Sequence, residues 1–117
     1  MSQPFFEIRQ DSDADGALRL TLIGEVDLAV ADQLAAQLGQ LTGPGRRVRL
    51  DLSQPEFIDC SGVGAIMSAL VEARRGGWEL DVDRCVSPTV ARVIALAGIA
   101  PDLWPAEGGA GRVRLMR

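Results

Sequence analysis

Asp59-Cys60-Ser61-Gly62 is the stretch of this chain best equipped for chemistry. It holds a carboxylate, a thiol and a hydroxyl side by side. The short apolar run Phe57-Ile58 precedes it, and a helical pattern begins at once after it. Ser61 therefore falls at or next to the first turn of a helix. Backbone N–H groups and the positive end of the helix dipole gather at such a turn. A phosphate is at home there. So is an ordinary capping serine, worth about 1 kcal/mol. Both readings of Ser61 stand on spacing alone.

Other residue types limit what the motif can do. The chain has no histidine, and all 12 of its basic residues are arginine. Ser-His and Cys-His nucleophilic pairs are excluded, as are histidine phosphocarriers. Schiff-base chemistry and the lysine of a phosphate-binding loop are excluded too. Cys60 and Cys85 are too few for a structural zinc site, so no metal and no cofactor is expected. An enzyme using Cys60 or Ser61 as nucleophile would have only carboxylates as bases. Nucleotide binding at Ser61-Gly62-Val63-Gly64 would lack a lysine. The composition favours a binding or switching module over an enzyme.

Alternating and helical periodicities surround the motif. Phe5 to Gln10 reads as a first strand, and Asp11 to Gly16 as a turn. Leu18, Leu20 and Leu22 alternate with polar residues in a second strand ending at Gly24, so the two form a hairpin. Asp27 is placed to cap a helix carrying Val30, Leu34, Leu38 and Leu41, which Thr42-Gly43-Pro44-Gly45 ends. Val48, Leu50 and Leu52 form a third strand, and Ser53-Gln54-Pro55-Glu56 reads as a turn.

From Ser61 to about Arg75, Val63, Ile66, Met67, Leu70 and Val71 mark one helical face, which Gly76-Gly77 stops. Trp78, Leu80 and Val82 give a fourth strand. Ser87-Pro88 opens a third helix with Val90, Ile94 and Ala97, closed by Gly98. The order β-β-α-β-α-β-α is that of an α/β domain. An N-terminal β-hairpin is followed by parallel βα units, making a small mixed sheet.

With 117 residues, 47% of them hydrophobic and 24% charged, the chain suits one compact domain over 1–117. The core is expected over about 5–104, with a glycine- and arginine-containing tail over 105–117. In that tail Arg112 to Met116 reads as a short strand or a loose end. No apolar run approaches the ~20 residues of a membrane helix. Met1-Ser2-Gln3-Pro4 lacks a secretory pattern, so a cytoplasmic protein with free thiols is expected. A disulfide between Cys60 and Cys85 is the alternative. The net charge of −4 argues against nucleic acid as a partner.

Gly24-Glu25-Val26-Asp27 after the second strand, Phe57-Ile58-Asp59-Cys60-Ser61-Gly62 before a helix, and Ser87-Pro88 opening the third resemble a STAS domain. Within that family the chain looks most like a bacterial anti-sigma factor antagonist, over about Phe5 to Trp104. The resemblance implies helices packed mainly on one face of the sheet. It also implies partner switching. The unphosphorylated antagonist binds an anti-sigma factor that is a serine kinase and so frees a sigma factor. The kinase phosphorylates the motif serine, the complex falls apart, and a serine phosphatase resets it.

On this chain Ser61 matches the phosphoacceptor, with Asp59, Cys60 and Gly62 beside it; Asp59 is equally placed to cap the helix. Gly62 and Gly64 are expected to clear space around the serine. Glu25 and Asp27 match the acidic loop that meets the partner. Two departures stand out. Cys60 replaces a serine or threonine frequent in relatives, and the tail lacks an amphipathic last helix. STAS domains also serve as accessory subunits of membrane transport complexes without a phosphoswitch, which is the alternative function.

Overall fold

The computed structural model describes residues 5–40, 43, 45–104 and 114–115. β1 (Phe6–Ser12) and β2 (Leu18–Val26) form the expected antiparallel hairpin. β3 (Arg47–Ile58) and β4 (Glu79–Val82) add in parallel, giving one mixed sheet in the order β1-β2-β3-β4. The helices are α1 (Leu28–Gln40), α2 (Cys60–Gly76), α3 (Pro88–Ala97) and the single turn α4 (Ala100–Leu103). A second, two-stranded sheet pairs β5 (Cys85–Val86) with β6 (Arg114–Leu115) in parallel. Leu41, Thr42, Pro44 and most of the tail lie outside the described residues.

The core forms because successive strand residues face opposite ways. Leu20, Leu22 and Val26 of β2 and Val48, Leu50 and Leu52 of β3 are buried, as the alternation predicts. Leu34 and Leu38 of α1, Ile66 and Leu70 of α2, and Val90 and Ile94 of α3 join them in one cluster. Helix ends follow the expected chemistry. Ser87 Oγ accepts from Val90 N at 3.3 Å, and Gly77 and Gly98 close α2 and α3 with φ of +73° and +67°.

Several sequence expectations change. β2 continues through Gly24 to Val26, and Ser53 to Glu56 is strand rather than turn. Pairing between β2 and β3 slips between Thr21 and Ile23 and again between Gly24 and Glu25. These bulges absorb the turn-forming residues without ending the strand. β4 pairs with β3 only as far as Leu50, so Pro55 lies where the ladder is bonded on one side. On α2, Val71 is 43% exposed, and Ala69 and Ala73 complete the buried face. On α3, Ala91 rather than Ala97 does so. Trp104 Nε1 donates to Val82 O at 2.6 Å, tying the segment after α4 to β4.

The polar side chains of the strands carry an ion-pair network. Arg19 of β2 reaches Asp13 at 2.8 Å, Asp51 at 3.1 Å and Asp83 at 3.3 Å. Arg49 also meets Asp13, and Arg47 meets Asp15 at 2.9 Å. Hydrogen bonding to Arg19 holds the Asp13 carboxyl below its ordinary 3.8. The Ala17 N–H and then Arg47 do the same for Asp15. Asp13 in turn raises the Arg19 guanidinium above its usual value. For a depressed carboxyl, the stabilisation is complete above the unfolded value and is lost as pH falls through the folded one. The urea midpoint should therefore drop as pH falls below 3.8, and less steeply in Arg19→Met. Urea titrations at stepped pH check this. Equal slopes in both proteins would contradict it.

Candidate functional site

The site is built where two parallel strands end side by side. Val26 of β2 pairs with Ile58 of β3, and Asp59 N donates to Val26 O at 3.2 Å. Asp27 and Asp59 thus leave the sheet from neighbouring strands, each at the start of a helix. Asp27 Oδ1 accepts from Ala29 N at 3.0 Å, and its carbonyl accepts from Val30 and Ala31. This is the expected capping role.

Asp59 caps α2. Its backbone is extended (φ −112°, ψ −175°), and its Oδ1 accepts from Ser61 N at 2.9 Å and Gly62 N at 3.1 Å. Its carbonyl accepts from Val63 N at 3.0 Å. The cap reading of Ser61 is therefore corrected. Cys60 is the first helical residue and Ser61 the second. The helix N–H groups offered to an anion are also partly taken, because the Asp59 carboxylate already occupies two of them. Ser61 is half-buried, and its hydroxyl has no hydrogen-bond partner among the described residues. Replacing Asp59 with alanine should cost about 1 kcal/mol of stability, while Asp59→Asn, an equally good cap, should cost far less. Urea unfolding of both variants checks this.

Gly62 plays another part than clearing space beside the serine. A Cβ there would sit 2.7 Å from Val26 O, 2.8 Å from Val26 Cγ1 and 3.0 Å from Ile58 Cγ1. Glycine is what lets the first turn of α2 close onto the ends of β2 and β3. Gly64 does face open space. Cys60 and Cys85 are exposed free thiols, so the disulfide alternative is not realised. Among the described residues no group of three potential metal ligands is found.

Glu25 is half-buried at the end of β2, paired with Phe57 of β3. Across on the β1 side its N–H donates to Phe5 O at 2.9 Å. Phe5 is 59% exposed, Phe57 44% and Leu28, directly after Asp27, 71%. Sequence reading missed these three as surface residues. Phe57 and Ile58 look like one apolar run, yet adjacent strand residues face opposite ways, so only one of them could enter the core. Nothing in the local pattern marks Leu28.

A family model described as "Mlab, STAS domain" matches residues 10–104, and the chain belongs to the STAS domain family. Among solved structures it is similar to an anti-sigma factor antagonist from Mycobacterium paratuberculosis. The TM-score is 0.67 at 21% identity, over 86% of this chain and 84% of that one. It is also similar to the anti-sigma factor antagonist SpoIIAA in its unphosphorylated form, with a TM-score of 0.61 at 21% identity, over 81% of this chain and 84% of that one. The Bacillus cell fate determinant SpoIIAA in its phosphorylated form gives 0.59 at 20% identity, over 81% and 86%. At these identities the likeness establishes the fold. No curated protein matches the chain. Among the described residues no helix is long and apolar enough to cross a membrane.

Proposed function

We propose that this chain is a cytoplasmic anti-sigma factor antagonist switched at Ser61. With Ser61 unmodified it binds an anti-sigma factor that is a serine kinase, and a sigma factor is released. Phosphorylation of Ser61 ends the complex, and a serine phosphatase restores it. The protein acts by binding, with Glu25 and Asp27 meeting the partner. One observation carries this reading: Asp59 takes over the capping of α2, leaving Ser61 half-buried with its hydroxyl unpartnered among the described residues. Ser61 follows the Asp59 cap, whose N–H donates to Val26 O between Glu25 and Asp27. Solved relatives of the same fold include one protein in both unphosphorylated and phosphorylated forms.

The electrostatics suit a switch. A phosphoserine carries about −1.5 to −2 charges at pH 7. In the free protein water solvates that charge. In a complex it would be dehydrated against the Asp59 carboxylate, which is costly. Baits carrying Ser61→Ala and Ser61→Glu, used side by side in extract of the native cell, test the reading. An ATP-binding kinase held by the alanine bait and lost from the glutamate bait supports it. A transporter subunit held equally by both would instead favour the accessory-subunit role.

A further inference from the structure

We infer that Phe57 and Leu28, with Phe5 alongside, anchor the partner, and that the partner surface is an apolar pocket ringed by arginine or lysine. This rests on the partner-switching reading and adds the chemistry of the surface that docks. Among the described residues, five large hydrophobic side chains are prominently exposed: Phe5, Leu28, Phe57, Val71 and Leu96. Three of these five, Phe5, Phe57 and Leu28, lie where β2 and β3 end and α1 and α2 begin. Single exposed apolar residues are ordinary, but a group of them beside polar residues marks an interaction surface. Two of the three are aromatic, and they flank Glu25 on its two sides, Phe5 through the backbone bond to Glu25 N and Phe57 through the β2–β3 register. Leu28 opens α1 immediately after Asp27.

Charge selects the occupant. Among the described residues, the ion pairs engage Glu7, Asp13, Asp15, Asp51, Glu79 and Asp83. Glu25, Asp27, Glu56 and Asp59 join none of them. The end of the sheet that carries Ser61 is thus acidic, with no arginine paired to these carboxylates among the described residues and with apolar side chains set into it. Such a surface complements cations around a hydrophobic recess. It repels nucleic acid and an anionic membrane alike. In interfaces of this kind a few buried apolar anchors hold the complex, while rim charges govern encounter and salt dependence. Affinity would then reside in Phe57 and Leu28, and its control in Ser61.

The test uses the kinase recovered on the Ser61→Ala bait and purified. Its dissociation constant is measured by calorimetry against the unmodified chain, Phe57→Thr, Leu28→Gln and the control Leu96→Ser on α3. Thermal melts confirm that each variant is folded, as expected for exposed positions, and Leu96 serves as control because it is exposed on α3 rather than on β3 or α1. Phe57→Thr and Leu28→Gln should each weaken binding by about 10-fold or more, the size expected of an interface anchor, and Leu96→Ser by less than about two-fold. Raising the salt should weaken every complex. Suppose both anchor variants bind like the unmodified chain while Ser61→Glu still does not bind. The docking surface is then wrong and the switch stands. If the Ser61→Ala bait recovers no kinase, the switch reading falls and this inference with it.

Discussion

Ser61→Glu should weaken binding of the anti-sigma partner about 100-fold, while Ser61→Ala should leave it within about two-fold; 100-fold corresponds to about 2.8 kcal/mol. The estimate follows from where the new charge sits. Ser61 N already donates to Asp59 Oδ1 at 2.9 Å, so a carboxylate at position 61 lies beside an existing one. Free in solution, water screens the pair. Docking removes that water, and like charges confined at an interface cost several kcal/mol. Full phosphorylation adds up to two charges and should go further, toward the ~5.5 kcal/mol that takes a population from 99:1 to 1:99. Calorimetric titration of the purified partner with both variants provides the check. Similar affinities for alanine and glutamate would remove the electrostatic basis of the switch.

Gly24→Ala should be the most destabilising single change around the site, at about 3 kcal/mol, combining left-handed backbone strain with overpacking. Gly24 has φ +96°, and a Cβ there would lie 2.1 Å from Phe5 O. That oxygen accepts the Glu25 N–H, so β1 would have to withdraw from the end of β2. Gly16 separates the two contributions. Its φ is +88°, yet a Cβ would meet nothing within 4 Å. Gly16→Ala should therefore show backbone strain alone, about 1 kcal/mol. Urea unfolding of the two variants decides the matter. Equal losses would mean that the close approach of Phe5 to Gly24 contributes nothing.

Much of the fold was legible because it is written in local periods. Leu18-Leu20-Leu22 and Val48-Leu50-Leu52 announce strands, and Ser87-Pro88 and Gly98 punctuate α3 as their backbone chemistry requires. What stayed hidden depends on partners distant in sequence. Pro55 reads as a turn residue until the bulges against β2 are known. β5 is two residues long and exists through its pairing with β6. Arg19 gains its role from Asp13, Asp51 and Asp83, which lie in three separate segments.

The site was legible in part for the same reason. The motif locates a strand-to-helix corner, but whether Asp59 or Ser61 caps the helix turns on a boundary shift of two residues. Only the hydrogen bonds of Asp59 resolve it. Gly62 looks like clearance for the serine. Its reason lies instead in Val26, a residue of another strand.

Phosphosite mapping by mass spectrometry, on chain purified from its native cells, tests the switch most directly when each form is also offered to the partner. The expected result is one phosphate, on Ser61, in a fraction that no longer binds the partner retained by the unmodified fraction. Phosphate at another residue, or a Ser61-phosphorylated chain that binds as well as the unmodified one, would contradict it.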